Sequence, residues 1–305
     1  MTTQPMDRRQ FLGTAAMAAG AILTGPAGLT AQEAASRPAT TQPKYRISLA
    51  GWSLHKMFFA KQIDMLGMVR MCREEFAIGG FEMVNTLWPS PTYGYCRQLK
   101  QLAADLDVKL LLIMCDNEGE MTHPDKAERM QAARNHRKWV DAAAVLGCHS
   151  IRCNTGGSAA GDPEAVKRAA ESFSELLAYA KPAGIQVILE NHAGLSSDPD
   201  SLVALMKAVN DPFFGTLPDF GNFPDTVDRY DAIKRMMPYA KAVSAKCYDF
   251  DDTTGLETKL DFPRLIKIVT EAGYNGFIGI EYEGPRLDEA TGIQRAKALL
   301  EKLAT

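Results

Sequence analysis

Lys181-Pro182-Ala183-Gly184-Ile185-Gln186-Val187-Ile188-Leu189-Glu190-Asn191-His192 holds a helix stop, a short run of β-formers and a polar strand end in immediate succession. Pro182 and Gly184 end a helical pattern, and the apolar run after them is too short for a helix and bounded by turn signals. Upstream, Asp162-Pro163 supplies an N-cap and a proline at the first helical position for a helix over 163–181. Downstream, the pattern returns to helical periodicity over 199–208.

The same grammar repeats along the chain. Strands are predicted at Arg46–Ser53, Gly80–Asn85, Val108–Cys115, Ser150–Asn154, Gln186–Asn191, Gly215–Phe220, Ala240–Lys246 and Phe277–Tyr282. Helical stretches alternate with them at Asp64–Phe76, Tyr93–Asp105, Asp125–Leu146, Pro163–Lys181, Pro199–Ala208, Arg229–Met237, Phe262–Ala272 and Asp288–Lys302, one helix per strand. The turn signal of residues 181–184 recurs as Glu271-Ala272-Gly273-Tyr274 before the last strand. Strict alternation of this kind predicts an α/β fold, a parallel sheet closed into a (β/α)8 TIM barrel. A doubly wound open sheet would carry a glycine-rich phosphate fingerprint after its first strand, and Ser48-Leu49-Ala50-Gly51-Trp52-Ser53 is not one.

Composition narrows the class. The 305 residues are 46% hydrophobic and 23% charged, as in an ordinary globular chain. Net charge is −3 and no Lys/Arg run is interleaved with aromatics, which argues against nucleic acid as a partner. Cys72, Cys96, Cys115, Cys148, Cys153 and Cys247 are scattered singly and read as buried free thiols. At the N-terminus, Asp7-Arg8-Arg9-Gln10-Phe11-Leu12-Gly13 precedes an apolar, Ala- and Gly-rich stretch. It resembles a twin-arginine signal, so residues 1–31 are expected to be a leader, with the export machinery as partner and the periplasm as destination. The alternative is a retained anchor, which Gly13, Gly20, Gly25 and Pro26 disfavour. Residues 32–44 read as a polar linker to a single catalytic domain over 45–305.

In a barrel, chemistry gathers at the carboxyl ends of the strands. Here four successive strands end in a charged or metal-competent group: Glu190-Asn191-His192, Asp219-Phe220-Gly221-Asn222, Ser244-Ala245-Lys246 and Glu281-Tyr282-Glu283. A single carboxylate in such a place is often a helix cap or a solvated loop residue. Glu190, Asp219 and Glu281 on neighbouring strands, each among alternating apolar residues, would instead point into the barrel mouth. Their mutual repulsion calls for a cation or a lysine between them. Carboxylate oxygens suit one divalent ion such as Mn²⁺, Mg²⁺ or Co²⁺, with Zn²⁺ also accommodated.

Ile188-Leu189-Glu190-Asn191-His192, Asp219-Phe220-Gly221-Asn222 and Ile278-Gly279-Ile280-Glu281-Tyr282-Glu283 resemble the sugar phosphate isomerase/epimerase group. These xylose isomerase-like barrels include ketose 3-epimerases, hydroxypyruvate isomerase and inosose dehydratase. The resemblance implies one metal held by a Glu, an Asp, a His and a second Glu from strands five to eight. Glu190, Asp219 and Glu281 match three of these ligands, and Ser244 stands at the histidine's position. Asn222 stands where ketose epimerases often carry a substrate-binding histidine. The resemblance also implies a small carbohydrate substrate, and related barrels are often dimers or tetramers.

By the same resemblance Glu190 and Glu281 form an acid–base pair that moves a proton at a carbon next to a carbonyl, with Lys246 neutralising oxyanion charge. Arg152 and Asn154 on strand four, His192, Asn222, Trp52 and His55 are the candidate substrate contacts, with Glu82 and Asn85 on strand two as weaker ones. The alternatives are a lyase acting on an oxidised sugar in the same site and a non-catalytic, exported sugar-binding barrel. A phosphodiester-cleaving barrel needs several metal-binding histidines. This chain has only His55, His123, His136, His149 and His192, two of them in or just after the predicted helix 125–146.

Overall fold

Short runs of Val, Ile, Leu and Phe, most of them buried on both faces, form eight strands: β1 (Arg46–Ala50), β2 (Gly80–Val84), β3 (Lys109–Met114), β4 (Ser150–Cys153), β5 (Gln186–Glu190), β6 (Phe214–Leu217), β7 (Val243–Cys247) and β8 (Phe277–Tyr282). The computed structural model describes residues 43–157 and 160–304. The expected leader, and residues 32–42 of the expected linker, lie outside the described residues. No described helix is long and apolar enough to cross a membrane.

All ladders are parallel and run in the order β6-β5-β4-β3-β2-β1-β8-β7. The ring closes between β6 and β7 through isolated parallel bridges, Thr216 with Ala240 and Asp219 with Ser244. In this seam Ser244 N donates to the Pro218 carbonyl at 2.9 Å and Phe220 N to the Ser244 carbonyl at 3.1 Å. Pro218 has no N–H to contribute, so the seam stays irregular where the chain leaves β6. The consequence is local but decisive for the site: Asp219 lies beyond the strand, beside Ser244.

The sequence expectations for the strands and most helices hold, save that the sixth strand ends at Leu217 instead of Phe220, the seventh begins at Val243 instead of Ala240, and three further corrections apply. The first strand stops at Ala50, because Gly51–Leu54 turns into a 3-10 helix. Ser53 pins that turn to β8: its Oγ donates to the Ile280 carbonyl at 3.0 Å and accepts from Tyr282 N at 2.9 Å. Trp52 therefore leaves the sheet and stands at the mouth. The connection after β1 also contains two helices, His55–Phe59 and Met65–Glu74, where one was expected. The helix expected over 125–146 is likewise two, Lys126–Asn135 and Arg137–Leu146. At the break, the buried His136 imidazole hydrogen-bonds the Ala132 carbonyl through Nδ1 at 2.8 Å, competing for the acceptor that the helix ladder would use.

Local chemistry fixes the other boundaries. Asp162 caps Pro163–Ala180 by accepting from Glu164 N at 2.9 Å, with proline in the first turn. Gly184 and Gly273 take φ of +71° and +79°, the left-handed conformation that lets the chain reverse under the barrel before β5 and β8. The helix Pro163–Ala180 buries Ala169, Phe173, Leu176 and Ala180, and Phe173 meets Phe214 of β6 with ring centroids 5.0 Å apart. All six cysteines are buried free thiols.

Candidate active site

The strand ends converge on a cluster of buried charge. One oxygen from each of Glu190, Asp219 and Glu281 lies within 4.8 Å of the other two, and all three residues are buried. Each carboxylate is held differently. Asp219 Oδ1 accepts from the backbone N–H of Gly221 and Asn222, both at 2.8 Å, and Oδ2 accepts from Ser244 Oγ at 2.6 Å. Glu190 Oε1 accepts from Asn222 Nδ2 at 2.9 Å. Glu281 Oε1 lies 3.0 Å from Lys246 Nζ, and Oε2 is 3.4 Å from Ser244 Oγ.

Glu190 Oε2 is the exception. It is buried and accepts no hydrogen bond. Arg152 Nε is 2.9 Å away, but off the N–H direction, so the contact is a charge pair without hydrogen-bond geometry. A buried carboxylate oxygen left in this state fits a cation ligand. The donor set of Glu190, Asp219 and Glu281, with the Ser244 hydroxyl beside it, is all oxygen, which suits a hard divalent ion.

Two cations cross the cluster. Arg152 on β4 reaches Asp116 Oδ1 at 2.6 Å and Asn154 Oδ1 at 3.1 Å, while Asn154 Nδ2 also donates to Asp116 Oδ1 at 2.8 Å. Lys246 on β7 lies between Glu281 and Glu283, the latter at 3.4 Å. Burial raises the Glu190 carboxyl above the ordinary carboxylate range, the Glu281 charge adding to it and Arg152 and Lys246 opposing it. Asp219 is raised for the same first reason, against the pull of Lys246. Burial alone would lower Lys246, but Glu281, Asp219 and Glu190 outweigh it and hold the ammonium protonated.

The structure gathers most of the residues singled out by sequence. A cavity of about 590 Å³ opens over the cluster. Trp52, Arg152, Asn154, His192, Lys246 and Glu281 line it. Asn222 stands behind Glu190 as a hydrogen-bond donor, and Ser244 behind Asp219. His55 packs against Trp52, rings parallel at 4.7 Å, with Nδ1 2.6 Å from the Trp52 carbonyl. Asn191 is a positioning residue that sequence reasoning passed over. Its amide clasps the Asp219 backbone, Oδ1 accepting from Asp219 N at 2.8 Å and Nδ2 donating to Asp219 O at 3.0 Å. Asp116, Glu283 and Phe59 were also missed. The strand-end rule applied to Met114-Cys115-Asp116 would have found the first of them.

Glu82 lies deeper in the barrel. It is 1% exposed, its Oε1 accepts from Ser48 Oγ at 2.6 Å and its Oε2 has no partner. Gly279 leaves room for it, since a Cβ there would meet Glu82 Oε1 at 2.5 Å. The carboxyl is pushed up to about 8, by burial first and then by the charges of Glu281 and Glu190, with the Ser48 hydrogen bond opposing. Unfolded, it would titrate near 4.5, so between these values the folded chain holds a proton that the unfolded chain releases. The stability this gives is present at low pH and lost as pH rises through the folded value. From about pH 5 to pH 7 the wild type should lose about 2 kcal/mol relative to Glu82→Gln. Urea denaturation at both pH values measures this, and parallel pH profiles would contradict it.

A family described as the xylose isomerase-like TIM barrel matches residues 74–303 of the chain. No curated protein matches it. Among solved structures, an L-ribulose 3-epimerase is similar with a TM-score of 0.70 at 15% identity, over 85% of this chain and 94% of the other. A 3-keto-D-glucoside 4-epimerase from E. coli gives a TM-score of 0.65 at 15% identity, over 86% and 100%. A xylose isomerase-like TIM barrel protein from Mycobacterium smegmatis, solved with magnesium, gives 0.64 at 18% identity, over 85% and 97%. At these identities the likeness is one of fold.

Proposed function

The chain belongs to the xylose isomerase-like TIM barrel family, and from that premise we propose that it is a carbohydrate isomerase or epimerase that moves a proton at a carbon beside a carbonyl. The observation that carries this reading is the meeting of Glu190, Asp219 and Glu281 oxygens within 4.8 Å, with Glu190 Oε2 accepting no hydrogen bond. The sugar epimerases among the similar folds support the substrate class.

Glu190, Asp219 and Glu281 would hold one divalent ion, which when bound supplies positive charge to a substrate carbonyl and lowers the cost of enolising it. The chain's own groups do the rest. Glu190 and Glu281 come from β5 and β8; one takes the proton and the other returns it. Lys246, kept charged by Glu281 and Glu283, stabilises negative charge on the substrate oxygen. Arg152 fixes Glu190 from below and presents its remaining edge, with Asn154 and His192, to the substrate hydroxyls. Asn191 and Ser244 keep Asp219 in place.

The test is solvent exchange. In D₂O with Mn²⁺, wild-type protein should place deuterium on the carbon next to the carbonyl of at least one ketose or keto-sugar from a panel. The product then separates epimerisation, aldose–ketose isomerisation and elimination. Absence of exchange across the panel, in protein that has bound the ion, would overturn the reading in favour of a binding protein. A second expectation concerns Ser244. Ser244→His adds an imidazole to an all-oxygen set, and should tighten divalent ion binding by about tenfold or more while shifting preference from Mg²⁺ toward Co²⁺ and Zn²⁺. Calorimetric titration of both proteins measures it; unchanged affinities would mean that position 244 lies outside the coordination sphere.

A further inference from the structure

Resting on the reading above, we propose that the substrate is an uncharged glycoside of at least two rings, its reacting ring over the carboxylates and its second ring against Trp52 and Phe59.

Charge excludes the anionic sugars. The cations lining the cavity, Arg152 and Lys246, are both engaged: the first by Asp116 and Glu190, the second by Glu281 and Glu283. Asp116, Glu281 and Glu283 line the cavity beside them, and Glu190 and Asp219 lie buried beneath it, so with a divalent ion seated on the cluster these five carboxylates still exceed the positive charge of the ion, Arg152 and Lys246 by one. A sugar phosphate or a uronate would meet two cations already paired with carboxylates and would add its charge to this excess. Hydroxyl groups meet no such barrier.

Size and polarity point to a second ring. The cavity, at about 590 Å³, is larger than one hexose ring fills. It is also divided. Arg152, Lys246 and Glu281, from β4, β7 and β8, make a polar side; across from them Val84 and Met114 lie beside the polar Thr86, Asp116 and Asn117, and Trp52 and Phe59, from the connection after β1, supply the aromatic surface. Trp52 has His55 stacked on one face at 4.7 Å, and His55 does not line the cavity, so the indole is braced from behind. Phe59 stands edge-on to it with centroids 6.2 Å apart and is 59% exposed. A braced indole beside an exposed phenyl ring at a cavity mouth offers apolar faces of the kind that cover the C–H face of a pyranose. Where the reacting ring is the one whose anomeric carbon forms the glycosidic bond, that carbon is no longer a free carbonyl, and the carbonyl beside the moving proton lies on another ring carbon.

Calorimetric titration of the full chain, loaded with Mn²⁺, tests this with glucose, galactose, fructose, cellobiose, lactose, maltose, sucrose, glucose 6-phosphate and glucuronate as probes. At least one disaccharide should bind about tenfold or more tightly than its component monosaccharides, and the two charged sugars should bind more weakly than glucose. Phe59→Ala, at an exposed position, should remove most of the disaccharide advantage, and Trp52→Leu should do the same. The proposal is overturned if no disaccharide binds, if a monosaccharide binds as tightly as every disaccharide, if a charged sugar binds more tightly than glucose, or if Phe59→Ala leaves the advantage intact. Deuterium exchange into ketoses without any disaccharide preference would remove this proposal and leave the isomerase reading standing. A disaccharide preference without exchange into any carbonyl sugar would do the reverse.

Discussion

Glu190→Gln and Glu281→Gln should each reduce solvent exchange at the substrate carbon by about a thousandfold or more, and each should also lose the bound divalent ion. A positioned acid or base contributes about 10² to 10⁴ in rate, and here each carboxylate would serve both the proton and the ion. The amides keep the shape of the side chains but offer one neutral acceptor where an anionic oxygen stood. The effects should be close to equal and far from additive, because a site that has lost either member no longer performs the paired transfer. Deuterium incorporation followed by mass spectrometry, with elemental analysis of the same samples, measures both quantities. Exchange within about tenfold of wild type in either variant would remove that residue from the acid–base pair. Retention of the ion in both would remove the carboxylate centre.

Arg152→Met should cost about 3–5 kcal/mol of stability, besides removing a substrate contact. Arg152 is 4% exposed and its guanidinium sits between Asp116 and Glu190, so its removal leaves an anion 1% exposed without its nearest cation. Methionine fills most of the volume, which confines the loss to charge and hydrogen bonding. Two further measurements identify the cause. Mn²⁺ should restore part of the loss, since a cation on Glu190 replaces the missing charge, and Asp116→Asn combined with Arg152→Met should cost less than the sum of the two changes. A urea midpoint close to wild type, or strict additivity, would mean that the pairs contribute little.

These expectations rest on contacts that differ in how plainly the sequence announces them. The barrel was legible because its causes are local. Residues 186–190 form a strand for the reasons visible in them, β-formers between a proline–glycine stop and a polar end, and the same is true of each repeat. The carboxylates at the ends of β5 and β8, and the one just past β6, were legible too, because strand alternation and its continuation fix which side chains face the mouth and a charge there needs an explanation. Where local signals competed, the reading failed. The helix pattern over 125–146 is continuous in periodicity, yet a side-chain hydrogen bond from His136 divides it.

Sequence alone therefore determined the order of elements, the strands that carry charge to the carboxyl ends, and the family resemblance in those strand ends. The tertiary structure decided which of these groups meet. It joined Arg152 to Asp116 and Glu190, set Lys246 between Glu281 and Glu283, and put Asn222 and Ser244 behind the carboxylates. It also buried Glu82 in the barrel and turned His55 to the back of Trp52. The reason is physical: periodicity and turn chemistry act within a few residues, whereas a pairing depends on ring closure and on how side chains from separate strands share one low-dielectric space.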